Sequence, residues 1–221
     1  MVNQKPDFWR QFDILRPTDL EFPVHMGGCG GIGSPTALAM AKMGCKDMTL
    51  HDHDTVENHN LPNQIYRLTD VGMSKVESLA KTIEDFTGVI PKTSLEKITA
   101  DSKLVGLVVS GVDSMAARKE IWQAIRYKTT IPLYVDARMG AEVCRIYSIR
   151  PTNPMDVEMY EGTLYDDAEA QELPCTGRSI IYNVFMIAAL ICSQVKKFAR
   201  GQEFNKEVIF DLVTLMCLTG D

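Results

Sequence analysis

A chain of 221 residues is long enough to bury one sizeable core, and 45% hydrophobic with 24% charged residues is an ordinary globular balance. The formal net charge of −6 argues against the broad basic footprint of a nucleic-acid binder. The opening MVNQKPDFWRQFD lacks the positive-then-apolar pattern of a secretion signal. Six scattered cysteines (Cys29, Cys45, Cys144, Cys175, Cys192 and Cys217), with no C-x-x-C pair, predict reduced thiols in the cytoplasm and no zinc site.

Along the chain, Pro6–Leu15 mixes aromatics with charge and reads as a helical arm. Phe22–Met26 is a short apolar strand that runs into a glycine loop. SPTALAMAKMG follows, with Ser34 as N-cap, Pro35 at the first helical position and Gly44 at the stop. Asp47–His51 is the next strand. Ser74–Phe86 is an amphipathic helix, with Val76, Leu79, Ala80 and Ile83 on one face. Gly88–Ile90 and Leu104–Ser110 read as strands, the second apolar throughout, as in a parallel sheet covered on both faces. Ser114–Tyr127 is a helix and Ile131–Asp136 a strand. Glu142–Arg150 alternates like an edge strand, and the polar Pro151–Pro174 reads as a crossover loop. The apolar run IIYNVFMIAALICSQV, interrupted by Asn183 and Ser193, predicts a buried helix over Ser179–Phe198 and not a membrane span. Val208–Leu212 closes the pattern as a last strand. The expectation is a Rossmann-like, doubly wound, mainly parallel α/β sheet with a C-terminal helix-plus-strand extension. It is read as one domain: arm 1–21, nucleotide-binding core 22–137, and crossover loop with C-terminal half 138–221.

The loop HMGGCGGIGS spaces Gly28, Gly30 and Gly33 as G-x-G-x-x-G between a strand and a helix. Glycines let the backbone approach a phosphate, and the helix behind presents free N–H groups and the positive end of its dipole. Asp52 ends the second strand, 19 residues past Gly33, where its carboxylate can accept hydrogen bonds from ribose hydroxyls. To this point NAD and ATP fit equally, and a ligand-free turn also remains.

The residues that follow separate them. HDHDTVENHNLPNQ at 51–64, SKVESLA around Lys75 and SGVDSMAARKE around Asp113 stand in the order of a set of motifs. That set resembles the ThiF/MoeB/HesA family, bacterial relatives of ubiquitin-activating enzymes. The likeness is strong over 22–137 and weaker in the last third. It implies ATP and Mg²⁺, and adenylation of the C-terminal carboxylate of a small ubiquitin-like (β-grasp) protein or peptide with release of pyrophosphate. Carried over by position, it implies that Gly28, Gly30, Gly31 and Gly33 line the nucleotide and that Asp52 holds the ribose. Asn60, Gln64 and Lys75 then run along the phosphates, and Asp113 holds the magnesium ion. The family motif N-L-x-R-Q has Asn63 where the arginine stands, so a phosphate-binding charge is missing. Arg67, one turn on, is a candidate replacement. Phe8-Trp9-Arg10-Gln11 resembles the arm that family dimers insert into the partner's site, so Arg10 is expected to act in trans in a homodimer.

Each assignment has an ordinary counterpart. Asp113 can cap the helix that follows it, Lys75 can be a solvated helix residue, and Arg118 can form a surface ion pair. His51, His53 and His59 read as incidental to the acidic loop rather than as metal ligands. Cys175, followed by Arg178, is either a nucleophile with a lowered pKa or a structural thiol. Two further functions stay open: an inactive nucleotide-binding interaction module, suggested by Asn63, and an NAD-dependent oxidoreductase.

Overall fold

The structure, a computed structural model, describes residues 6–165 and 179–220. Thirteen elements carry the fold: β1 Val24–Gly27, α1 Gly33–Met43, β2 Met48–His51, α2 Lys75–Thr87, β3 Lys92–Ser94, β4 Leu107–Ser110 and α3 Met115–Ile125, then β5 Tyr134–Gly140, β6 Val143–Ile149, α4 Pro154–Glu161, α5 Ile181–Ala199, β7 Glu207–Asp211 and β8 Met216–Gly220. One sheet holds all eight strands in the order β3-β2-β1-β4-β5-β6-β7-β8. β1 to β5 pair in parallel, while β6, β7 and β8 join antiparallel. The strand order reverses between β1 and β4, and in open α/β sheets ligands sit outside the carboxyl ends of strands at such a point.

Both faces of the sheet are covered. On one, α1, α2 and α5 bury Met40, Leu79, Ile83, Ile187 and Ile191 against Met26, Leu50, Leu107 and Val135. On the other, α3 and α4 bury Ile121, Trp122, Val157 and Tyr160 against Val108, Tyr134 and Ile149. Each fully buried aliphatic side chain contributes about 1.5–3 kcal/mol relative to exposure. α5 is long and apolar enough to cross a bilayer by length and composition. Here Val184, Ile187, Ile191 and Val195 are buried in the protein.

Several expectations need correction. The arm is not a helix: over Pro6–Leu15 it forms one 3-10 turn, Trp9–Gln11, whose own residues are not buried, while Leu15 beyond it joins the core. Ser34 lies inside α1, not at its cap; the cap position is Ile32. Ser34 is buried and tied into the loop, its Oγ donating to Gly30 O at 2.8 Å and accepting from Ile65 N at 3.1 Å. Gly44 does stop α1, with φ of 108°. Gly88 ends α2 at φ 72°, so the strand expected at Gly88–Ile90 begins instead at Lys92. β6 is an interior strand, because β7 and β8 lie beyond it, and β8 has no counterpart in the reading from sequence. The expected crossover loop contains α4, capped by Asn153 with Pro154 at its first position; residues 166–174 of that stretch lie outside the described residues.

Candidate active site

The glycine loop leaves β1 and turns sharply into α1, and its glycines fall into two kinds. Gly28 has φ of 85°, and a Cβ there would sit 3.1 Å from Gly111 O. A Cβ at Gly33 would sit 1.8 Å from the carbonyl oxygen of Gly28. Those two glycines are needed by the fold itself. Gly30 and Gly31 are different. Neither has a positive φ; a Cβ at Gly30 meets nothing nearer than Gln64 Nε2 at 3.9 Å, and one at Gly31 meets only ordinary contacts, Asn63 O at 3.4 Å first. Among the described residues, space is left open over Gly30.

Asp52 stands at the carboxyl end of β2 and is 8% exposed. Its Oδ2 accepts the N–H of Cys29 at 2.7 Å and its Oδ1 that of Asp54 at 2.9 Å. Each oxygen keeps a second acceptor position. The Cys29 carbonyl accepts from Tyr66 Oη at 2.6 Å, so the loop is held from both sides. Cys29 is fully buried, and burial pushes its thiol well above the usual range. Tyr66 was not legible from sequence: it stands two residues past Gln64 with no pattern of its own.

Lys75 opens α2, is 8% exposed, and donates from Nζ to Asp54 Oδ2 at 2.8 Å. It is therefore not a solvated helix residue. Burial raises the Asp54 carboxyl, but the hydrogen bond and charge of Lys75 outweigh it, and the net position is below the usual carboxylate range. Asn60 is 5% exposed and closes a 3-10 turn by accepting Glu57 N at 2.8 Å. Asn63 donates from Nδ2 to Ser179 Oγ at 2.8 Å. Its Oδ1 and the Oε1 of Gln64 are buried and have no hydrogen-bond partner among the described residues. Orphaned buried polar atoms cost about 1–3 kcal/mol each unless something completes them. Because the Ser179 hydroxyl can donate as well as accept, the Asn63 amide can turn end for end and offer its NH₂ instead.

Asp113 follows β4 on the loop to α3. That loop meets the glycine loop directly, with Gly111 N donating to Gly27 O at 2.8 Å. Asp113 is exposed. It does not cap α3; Ser114 does, its Oγ accepting from Ala117 N at 3.2 Å. The sequence-predicted set thus comes together at the switch point: the glycine loop, Asp52, Asn63, Gln64, Lys75 and Asp113. These residues suit a magnesium nucleotide, with a carboxylate that has no partner among the described residues for the metal, acceptors for a ribose, and backbone at Gly30 that no described residue covers for phosphates.

Three of the remaining residues take other surroundings within this chain. Arg67 points away to α2, donating to Thr82 Oγ1 at 3.2 Å and Asp85 Oδ2 at 2.8 Å, so it does not replace the missing arginine in this arrangement. Arg10 is exposed beside Trp9, and the adjacent Gln11 bonds to Met43 O at the far end of α1, about 16 Å from the glycine loop. Arg118 forms no surface pair: it is buried with Asp136 at 2.6 Å. Cys175 lies outside the described residues. The three histidines go to separate partners, His51 to His25 at 3.0 Å, His53 to Asp54 at 3.3 Å and His59 to Glu57 at 3.4 Å. Asp52, His53 and Asp54 hold donor atoms within 4.8 Å of one another, but the two carboxylates already serve Cys29 and Lys75.

Comparison with known proteins agrees with this geometry. The model of the ThiF family matches residues 20–215. Adenylyltransferase and sulfurtransferase MOCS3 of Dictyostelium discoideum is 37% identical over 98 residues, covering 41% of this chain and 23% of that protein. SAMP-activating enzyme E1 of Haloferax volcanii is 36% identical over 93 residues, covering 41% and 33%. The matched part therefore spans a third or less of these relatives. Among solved structures, E. coli MccB with ATP aligns over 100% of this chain and 72% of its own at a TM-score of 0.74 and 17% identity. PaaA aligns over 93% and 65% at 0.71 and 19%. At those identities the likeness is one of fold.

Proposed function

The chain belongs to the ThiF family, and on that premise we propose that it is an ATP-dependent adenylyltransferase acting on the C-terminal carboxylate of a small ubiquitin-like protein or peptide. The observation that carries the reading is the open middle of the glycine loop. Gly30 is glycine where the described residues leave room for a side chain, with the Gln64 amide 3.9 Å away and the Asn63 backbone beside Gly31, and the amide oxygens of both Gln64 and Asn63 lack a partner among the described residues. Relatives whose names state adenylyltransferase or activating-enzyme roles, and the MccB structure with ATP, support the nucleotide and the reaction class.

In this reading the acceptor carboxylate oxygen forms a bond to the α-phosphorus of ATP, the α–β bridging bond breaks, and pyrophosphate leaves with the electron pair. The chain's part is placement and charge. Asp52 accepts the ribose hydroxyls on its remaining lone pairs. The backbone at Gly30 and Gly31 and the amides of Asn60, Asn63 and Gln64 follow the phosphates, with Lys75 supplying a fixed cation. Asp113 holds the magnesium ion, whose charge, when bound, offsets that developing on the leaving pyrophosphate. Asn63 brings no charge, so the working unit is a homodimer in which Arg10 of a partner subunit's arm reaches the site. The cytoplasm is the expected compartment, consistent with the free thiols of Cys29, Cys45, Cys144, Cys192 and Cys217.

Calorimetric titration tests this with MgATP and, separately, NAD, on the unmodified chain and Asp113→Ala. MgATP binding that the variant loses, followed by pyrophosphate release on adding a β-grasp protein or a peptide, is the expected result. Binding of NAD alone, or of neither nucleotide, refutes it. The Asn63–Ser179 hydrogen bond favours a second reading, an inactive module that binds nucleotide and docks a partner. There Asn63→Arg creates pyrophosphate release that the unmodified chain lacks.

A further inference from the structure

Asp113 carries the metal in the reading above, yet no described residue holds its side chain. It is exposed and makes no hydrogen bond among the described residues. The aim of the carboxylate is therefore set by its backbone, and that backbone is gripped on both sides by one buried guanidinium. Arg118 is 5% exposed. Its Nη2 donates at 2.8 Å to the carbonyl of Val112, the residue before Asp113. Its Nη1 makes a longer contact, 3.5 Å, to the carbonyl of Ser114, the residue after. A further bond at 3.3 Å reaches Ala137 O on β5.

The guanidinium is itself clamped. Its Nε donates to Asp136 Oδ1 at 2.6 Å, and Asp136 is fully buried at the carboxyl end of the parallel part of the sheet. The other Asp136 oxygen accepts from Arg138 Nε at 2.9 Å and from Tyr160 Oη at 3.1 Å. Arg138 continues to Thr163, donating to its carbonyl at 3.0 Å and its hydroxyl at 2.9 Å. Two guanidinium groups share one carboxylate, so among the described residues the cluster carries a net positive charge. Such a cluster is weak as a stabiliser, since desolvation offsets most of the Coulomb gain, but it fixes geometry firmly because the fork of donors has one fit. The same loop packs on the glycine loop: a Cβ at Gly28 would stand 3.3 Å from Val112 N.

We propose that Arg118 is a positioning residue for the metal carboxylate, holding Val112 and Ser114 so that Asp113 meets the ion on a bound nucleotide, with Asp136 and Tyr160 holding Arg118 in turn. The proposal rests on the adenylation reading. Its test is the ratio of ATP affinity with Mg²⁺ to that with EDTA, measured by calorimetry beside the melting temperature. Arg118→Lys offers a point charge that cannot reach Asp136 and Val112 together. The expected result is a loss of about tenfold in the magnesium advantage, as is usual when a group supporting a metal ligand is removed, with metal-free affinity unchanged. Tyr160→Phe keeps the packing and loosens Asp136, and its expected loss is about threefold; it carries the test if Arg118→Lys does not fold. A lower melting temperature with an unchanged ratio, or equal losses with and without Mg²⁺, overturns the proposal and leaves the adenylation reading standing. If the unmodified chain itself has no magnesium advantage that Asp113→Ala removes, the adenylation reading falls and takes the proposal with it.

Discussion

Two glycines three residues apart should respond in opposite ways to the same added methyl group. At Gly33 an alanine Cβ would stand 1.8 Å from Gly28 O and 2.9 Å from the Gly28 carbonyl carbon. That carbonyl cannot swing aside cheaply: Gly28 is held at φ 85° and its N–H donates to His51 O at 2.9 Å. The loop must move by more than an ångström against the sheet. Overpacking of this kind costs about 3 kcal/mol, and for a chain of this size that lowers the melting temperature by about 6–12 °C. At Gly30 the same methyl meets none of the described residues nearer than Gln64 Nε2 at 3.9 Å and has a compatible φ, so Gly30→Ala keeps or raises stability by up to about 1 kcal/mol. If a phosphate lies over that backbone, the methyl blocks it, and MgATP affinity falls by at least about tenfold, or 1.4 kcal/mol. Thermal melts and calorimetry on both variants give the comparison. A Gly30→Ala protein that binds MgATP as the unmodified chain does, or a Gly33→Ala protein that melts unchanged, refutes the division of the loop into a structural and a ligand-facing part.

Other consequences can be checked singly. Burial pushes His51 down to about 4, from 6.5 when unfolded, with His25 3.0 Å away also lowered. The folded state therefore binds fewer protons between those values, and stability present above pH 6.5 is lost as the pH falls towards 4. The loss by pH 5 should be about 1 kcal/mol after allowing for partial exposure, and His51→Gln should flatten the melting curve over that range. Arg67→Ala breaks an exposed pair with Asp85 and should cost under about 1 kcal/mol, with MgATP affinity unchanged. A large loss of affinity there would return Arg67 to the phosphate site.

What could be read from the chain was whatever depends on neighbours in sequence. The strand–glycine loop–helix unit followed from apolar runs, one G-x-G-x-x-G and a stop at Gly44, since turns and helix ends are made by the residues that form them. The alternation that followed was enough to fix a doubly wound sheet, and linked motifs were enough to indicate Asp52, Lys75 and Asp113. Boundaries failed where tertiary partners intervene. Ser34 has the chemistry of a cap, but its hydroxyl is taken up by Gly30 and Ile65, and α1 begins before it. β6 alternates like an edge strand, yet β7 and β8 cover it from far along the chain. Arg67 and Arg118 look alike in sequence, each a cation near a motif. One pairs with Asp85 on an exposed helix face, and the other is buried against Asp136, 18 residues away, behind the loop that carries Asp113. Composition and local pattern determine which elements form and which residue types are available. Which of two arginines is buried, which oxygen is left without a partner and which glycine has room above it are decided only when distant segments pack, because burial and hydrogen-bond satisfaction are properties of the assembled interior.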